Sequence, residues 1–145
     1  MSDSSAASPP SSAPQQAWLE GFIRSQGAIA GSIHLRSGPD ELSLAAAVNI
    51  PERVQQVVMR VPRGKGMAGL ALERNTAISS CNIQADSSGQ VRPGARAVEA
   101  QAAVALPVHN GSGEVRAVVG IAFADERTLS DDQLAALSEA AASLP

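Results

Sequence analysis

Two stretches of the chain are almost uninterruptedly apolar, Ala102 to Val108 and Val115 to Ala124. Each has the length of a strand, and continuous rather than alternating apolarity predicts burial on both faces. Between them lies Asn110-Gly111-Ser112-Gly113, a hairpin signal. A sheet buried on both faces needs helices on both sides. The remaining pattern supplies them. Gln16 to Ser25 reads as a helix, with Trp18, Phe22 and Ile23 near one stripe. Ser32 to Arg36 reads as a strand with Ile33 and Leu35 on one face. Ser37-Gly38-Pro39-Asp40 is a turn, and Leu42 to Val48 returns as the second strand of a hairpin.

Further along, Pro51 opens a short helix, where its missing N–H is no loss, and Val54, Val57 and Val58 give that helix an apolar face. Arg63-Gly64-Lys65-Gly66 is a tight connection into a helix over Met67 to Arg74 that stops near Asn75, and Thr76 to Cys81 is a short strand. Asn82 to Ala100 is long, polar and rich in Gly and Ser, the composition of a functional or mobile loop. The last helix has the clearest signature. Ser130 is its N-cap, Gln133 completes a capping box, and Leu129 staples across the cap to Leu134. Leu134, Leu137, Ala141 and Leu144 form a stripe that has to meet the sheet or a second subunit. Residues 1–14 are nearly all Ser, Ala and Pro and are expected to be a disordered tail, with residues 15–145 forming one domain.

Composition narrows the function. Of 145 residues, 44% are hydrophobic, 17% charged and 2% aromatic, so the core is built of Ala, Val, Leu and Ile. A formal net charge of −3 and no basic face argue against nucleic-acid binding, and so few aromatics argue against base stacking. Cys81 is the only cysteine, which excludes an intrachain disulfide and a thiolate zinc site. No apolar run has the length of a membrane span, and no signal peptide is visible. A cytoplasmic protein with no membrane partner and no cofactor or metal is the expectation.

Four stretches, Gly31-Ser32-Ile33-His34-Leu35, Gly64-Lys65-Gly66-Met67-Ala68-Gly69, Ala103-Val104-Ala105-Leu106-Pro107-Val108 and Val119-Gly120-Ile121-Ala122-Phe123, occur in this order within the element sequence above. In that order and spacing the chain resembles a GAF domain from Gln16 to Leu144. The resemblance implies an α/β domain of the α+β type, with a central antiparallel sheet of five to six strands and helices on both faces. It does not specify a ligand, since one fold serves many functions.

The candidate site residues come from three places. A helix starting at Gly66 or Met67 offers unpaired N–H groups and a positive dipole end, suited to a small anion or polar head, at Gly66, Met67 and Ala68. The same glycines equally serve close packing. No Ser or Thr follows the lysine, so this is not a phosphate-binding Walker loop. Arg92 and Arg96 on the long loop can close over an acidic ligand or simply be solvated. Cys81 ends the short strand and Asn82 opens that loop. Cys81 is a reactive thiol or a small buried hydrophobe. His34 lies mid-strand and either lines a pocket or is a satisfied core histidine.

Free methionine-(R)-sulfoxide reductases are an enzymatic branch of the family resembled. Their chemistry leaves a sulfenic acid that a second thiol must reduce. Where that branch carries Gly-Val-Cys-Gly, this chain has Gly66-Met67-Ala68-Gly69, and the later catalytic cysteine is missing. Bilin-binding and cyclic-nucleotide-binding patterns are also absent. The resemblance therefore implies a non-catalytic sensory domain for a small anionic or polar ligand, working with a partner such as a histidine kinase. The alternative is a ligand-free dimerisation or interaction module. The apolar stripes at Trp18/Phe22 and Leu134/Leu137/Ala141/Leu144 lead to the expectation of a homodimer.

Overall fold

The apolar pair forms the centre of the domain. In the computed structural model, which describes residues 12–80 and 101–145, β5 (Ala102–His109) and β6 (Val115–Phe123) make an antiparallel hairpin. The Asn110 side chain sets its turn, its Oδ1 accepting from the Ser112 and Glu114 N–H groups at 2.8 and 3.1 Å. β1 (Ala30–Gly38) adds to the other edge of β6, and β2 (Glu41–Val48) and β3 (Arg60–Pro62) follow outward. β4 (Ile78–Ser80) closes the opposite edge beside β5. The order is β3-β2-β1-β6-β5-β4, six strands with every neighbour antiparallel. The helices are α1 (Ser12–Gln26), α2 (Glu52–Val57), α3 (Gly66–Arg74) and α4 (Asp131–Ala141).

Alternation along the strands sends large side chains to one face. Ile33, Leu106, Val119, Ile121 and Phe123 pack there against Leu19, Phe22 and Ile23 of α1 and Leu137 and Ala141 of α4. The C-terminal end of α4 is tied down to α1 and β6. Trp18 stacks on Phe22 with ring centroids 4.8 Å apart, and its indole N–H donates to the Ser143 hydroxyl at 3.0 Å. Arg116 donates to the Leu144 carbonyl at 2.7 Å. On the other face Leu42, Val61, Leu72, Ile78 and Val118 form a smaller core under α3.

The capping box at Ser130 forms as the sequence spells it: Gln133 N–H donates to Ser130 Oγ at 3.2 Å, and Ser130 N–H to Gln133 Oε1 at 2.8 Å. Replacing Ser130 with alanine should lower stability by about 1 kcal/mol, read as a lower denaturation midpoint in urea.

Several readings of the pattern need correction. Most of the two apolar stripes considered for a dimer is buried within one chain. Phe22, Leu137, Ala141 and Leu144 are buried, and Trp18 and Leu134 pack against the same core. Val57 does not join Val54 on an inward face. It is 53% exposed, because α2 is only six residues long and turns a narrow stripe to the sheet. β3 was missed because Arg60-Val61-Pro62 is too short to alternate visibly. Its proline suits an edge strand, where one side of the backbone needs no partner. α1 starts at Ser12, before the apolar stripe, with Pro14 in a first turn whose N–H groups lack helical acceptors anyway. Among the described residues no helix is long and apolar enough to cross a membrane.

Candidate ligand-binding site

The second face of the central strands is made of small residues. The register aligns Ala30 with Ala122 and Ala122 with Ala103, giving one row of alanines across β1, β6 and β5. The next row is Ser32, Gly120 and Ala105. Beyond it, His34 and Pro107 flank Val118. Where the first face has Val104, Leu106, Val119 and Ile121 filling the core, this face leaves volume above it. The result is a cavity of about 160 Å³. That is comparable to a cavity of roughly 150 Å³ that accepts a benzene molecule.

The walls come from the segments on either side. After β2, Asn49 adopts a left-handed φ of 57° and its side chain donates to the Ile29 carbonyl at 2.9 Å. That bend carries the chain back over the sheet, so that Ile50, Val54 and Val58 around α2 reach the cavity. His34, buried in β1, holds the far end of this wall: its Nε2 lies 2.8 Å from the Val58 carbonyl. A carbonyl oxygen can only accept, so Nε2 carries the proton in this contact.

α3 makes the opposite wall with Lys65, Gly66, Met67 and Ala68. No side chain caps its start, so the first-turn N–H groups retain the partial positive charge of a helix end. Two glycines make the tight approach possible. Gly66 adopts φ of 65°, a region a Cβ disfavours. At Gly69 a Cβ would sit 2.4 Å from the Pro62 carbonyl oxygen, where the turn before α3 folds against the helix. Gly69→Ala should therefore destabilise by about 1–3 kcal/mol, although alanine is the better helix former by roughly 1 kcal/mol. Chemical denaturation reads the sign, and a gain in stability would contradict the close packing of α3.

The chemistry of the lining is lopsided. Lys65 is its one fully charged side chain, and no carboxylate lines the cavity among the described residues. Lys65 takes part in neither ion pair found among the described residues, Arg63 with Asp40 and Arg127 with Asp125. His34 and Ser32 are the other polar side chains on the lining. A second hollow of about 520 Å³ lies between α4 and the β4–β5 edge. Asp131, Ala135 and Ala142, which line it on the helix side, are exposed. Among the described residues no group of three or more His, Cys, Asp or Glu side chains comes together to hold a metal.

Of the residues expected at a site, Gly66, Met67, Ala68 and His34 meet at this one cavity. Cys81, Asn82, Arg92 and Arg96 lie outside the described residues. Sequence reading missed the alanine floor and the wall residues Val54, Val58 and Val61. A signal for the floor was present in Ala103-Val104-Ala105-Leu106 and Val119-Gly120-Ile121-Ala122-Phe123, where small and large residues alternate with the period of a strand.

The chain is thus an antiparallel sheet with the terminal helices on one face and a small cavity beside short helices on the other, an α+β architecture. The GAF domain profile matches residues 15–144, and the chain belongs to the GAF domain family. No curated protein matches it. Among solved structures, it is similar in fold to a type II free methionine-R-sulfoxide reductase from Thermoplasma acidophilum, with a TM-score of 0.69, 18% identity, and 92% of this chain and 90% of that chain covered. It is also similar to the GAF domain of a phosphoenolpyruvate-protein phosphotransferase from Coxiella burnetii, with a TM-score of 0.67, 18% identity and coverage of 95% and 83%. A third is the free methionine-R-sulfoxide reductase from Neisseria meningitidis in complex with its substrate, with a TM-score of 0.65, 17% identity and coverage of 86% and 73%.

Proposed function

We propose that this chain is a non-catalytic, small-molecule-binding sensory domain whose ligand occupies the cavity between the alanine floor, α2 and the start of α3. The observation that carries the reading is the floor itself. Residues on one face of β1, β5 and β6 are small where those on the other face are large, and a fold selected only for stability gains by filling such space. The ligand is small, with a polar or anionic head toward Lys65 and the open turn of α3.

The wall supplies a route to a partner. α2 buries only Val54, so it is a thin cover whose position can follow occupancy. A ligand that favours one position of that cover shifts its population in proportion to the difference in affinity. Val57 and Met59, the exposed large hydrophobics among the described residues, lie on the same segment and are what a signalling protein such as a histidine kinase would meet. A homodimer would use this surface too, since most of the stripes first considered is buried.

Reductase chemistry is not the reading favoured. The chain has a single cysteine, Cys81, and reduction of a sulfoxide leaves a sulfenic acid that needs a second thiol. The test of the sensory reading is a thermal-shift screen of small carboxylates, inorganic anions, amino acids and nucleotides. It is run on the natural chain and on Ala122→Leu, which fills the cavity. A compound that protects only the natural chain supports the reading. Equal protection of both proteins by every active compound would contradict it.

A further inference from the structure

We infer that the cavity takes a small monocarboxylate with a compact hydrocarbon body, either a branched short chain or a single aromatic ring. This rests on the cavity being the ligand site proposed above, and it adds the chemical class. Three features carry it. The floor positions Ala30, Ala103, Ala105, Gly120 and Ala122 offer no side-chain hydrogen-bonding group, and Ser32, in the row with Gly120 and Ala105, is the floor's one polar side chain, so the part of a ligand lying on the alanines has to be apolar, since a polar group there would lose its water without replacement. The volume of about 160 Å³ limits that body to roughly the size of benzene.

The charge of the lining fixes the head group. Lys65 is the fully charged side chain on it and has no carboxylate partner among the described residues. A ligand carboxylate at the Lys65 end pairs with that exposed ammonium while its body rests on the alanines. An amino acid fits worse, because among the described residues the lining holds no carboxylate to receive its ammonium group. The same feature sets this cavity against free methionine sulfoxide, which carries an ammonium and a carboxylate together. A bare inorganic anion would satisfy Lys65 but leave the floor uncovered.

Calorimetry on the full chain separates these parts. The probes are benzoate, 3-methylbutanoate, benzamide, phenylalanine and nitrate. Benzoate or 3-methylbutanoate should bind, and Ala122→Leu should abolish that binding. Benzamide should bind roughly tenfold more weakly than benzoate, about the worth of one hydrogen bond to a charged group. Lys65→Gln, at an exposed position, should bring benzoate down to the level of benzamide and leave benzamide unchanged. Equal binding of benzoate and benzamide by the natural chain overturns the inference, as does tighter binding of phenylalanine or nitrate. If no carboxylate binds but another compound protects the natural chain and not Ala122→Leu, the inference fails and the cavity reading stands. If no compound distinguishes the two proteins, both fail.

Discussion

Phe123→Ala should come close to unfolding this domain. Phe123 ends β6, is 2% exposed, and packs within the core formed by α1, α4 and the first face of the sheet. The guanidinium of Arg127 lies 4.0 Å above its ring, and Arg127 also donates to Asp125 at 2.7 Å, which holds that exposed carboxyl below its ordinary pKa. Aromatics are only 2% of the sequence, so few other side chains can move in to fill the space. Removing a buried phenylalanine costs about 3–5 kcal/mol, out of the roughly 5–15 kcal/mol that keeps a domain folded. Calorimetry should show the melting temperature falling by roughly 10–20 °C. A loss below about 1 kcal/mol, as at an ordinary surface site, would mean that the first face is not the main core.

Ala122→Leu should do the opposite to stability and the most to function. Ala122 neighbours Phe123 on the same strand but points to the other face, into the cavity beside Ala30 and Ala103. A leucine there enters empty space and should leave stability unchanged or raise it by about 0.5–2 kcal/mol. Ligand affinity should fall by at least roughly a hundredfold, about 2.8 kcal/mol. Val119→Leu on the same strand is the control. Val119 faces the filled core, and the larger side chain should cost about 1–3 kcal/mol. Denaturation of both variants reads the contrast directly. Similar destabilisation by the two would show that the second face is as full as the first.

That contrast also marks what was legible in the sequence. The long elements could be read because their signals are local. The continuous apolar runs gave β5 and β6, Asn110-Gly111-Ser112-Gly113 gave the hairpin, and Ser130 with Gln133 gave the start of α4. Asn75 marked the end of α3, where it takes the left-handed φ of 52° that asparagine tolerates. β3 was lost because three residues carry no period, and its place is set by pairing with Glu41, Leu42 and Ser43 rather than by its own composition.

The site was half legible. Gly66, Met67, Ala68 and His34 were recognisable as candidates from residue type and position, and they do border one cavity. The cavity itself was not, because it depends on which strands are neighbours. Ala30, Ala122 and Ala103 come from distant parts of the chain and line up only once β6 lies between β1 and β5. An alanine in a strand reads as filler until its row is known. The surface expected for a dimer was misplaced for a related reason. A stripe on α1 and a stripe on α4 each look unpartnered in sequence, and only the fold shows both spent on one shared core.

The central claim is that the face above the alanine floor is a ligand chamber rather than unfilled packing. Methyl NMR of the natural chain, titrated with a compound that protects it from thermal unfolding, tests this most directly. The methyl groups of Val54, Val58, Val61 and Met67, which line the chamber, should shift on titration, while those of Leu19, Leu106 and Leu137 in the opposite core should stay in place. Shifts confined to the opposite core or to the exposed Val57 and Met59, with the chamber methyls unmoved, would contradict it.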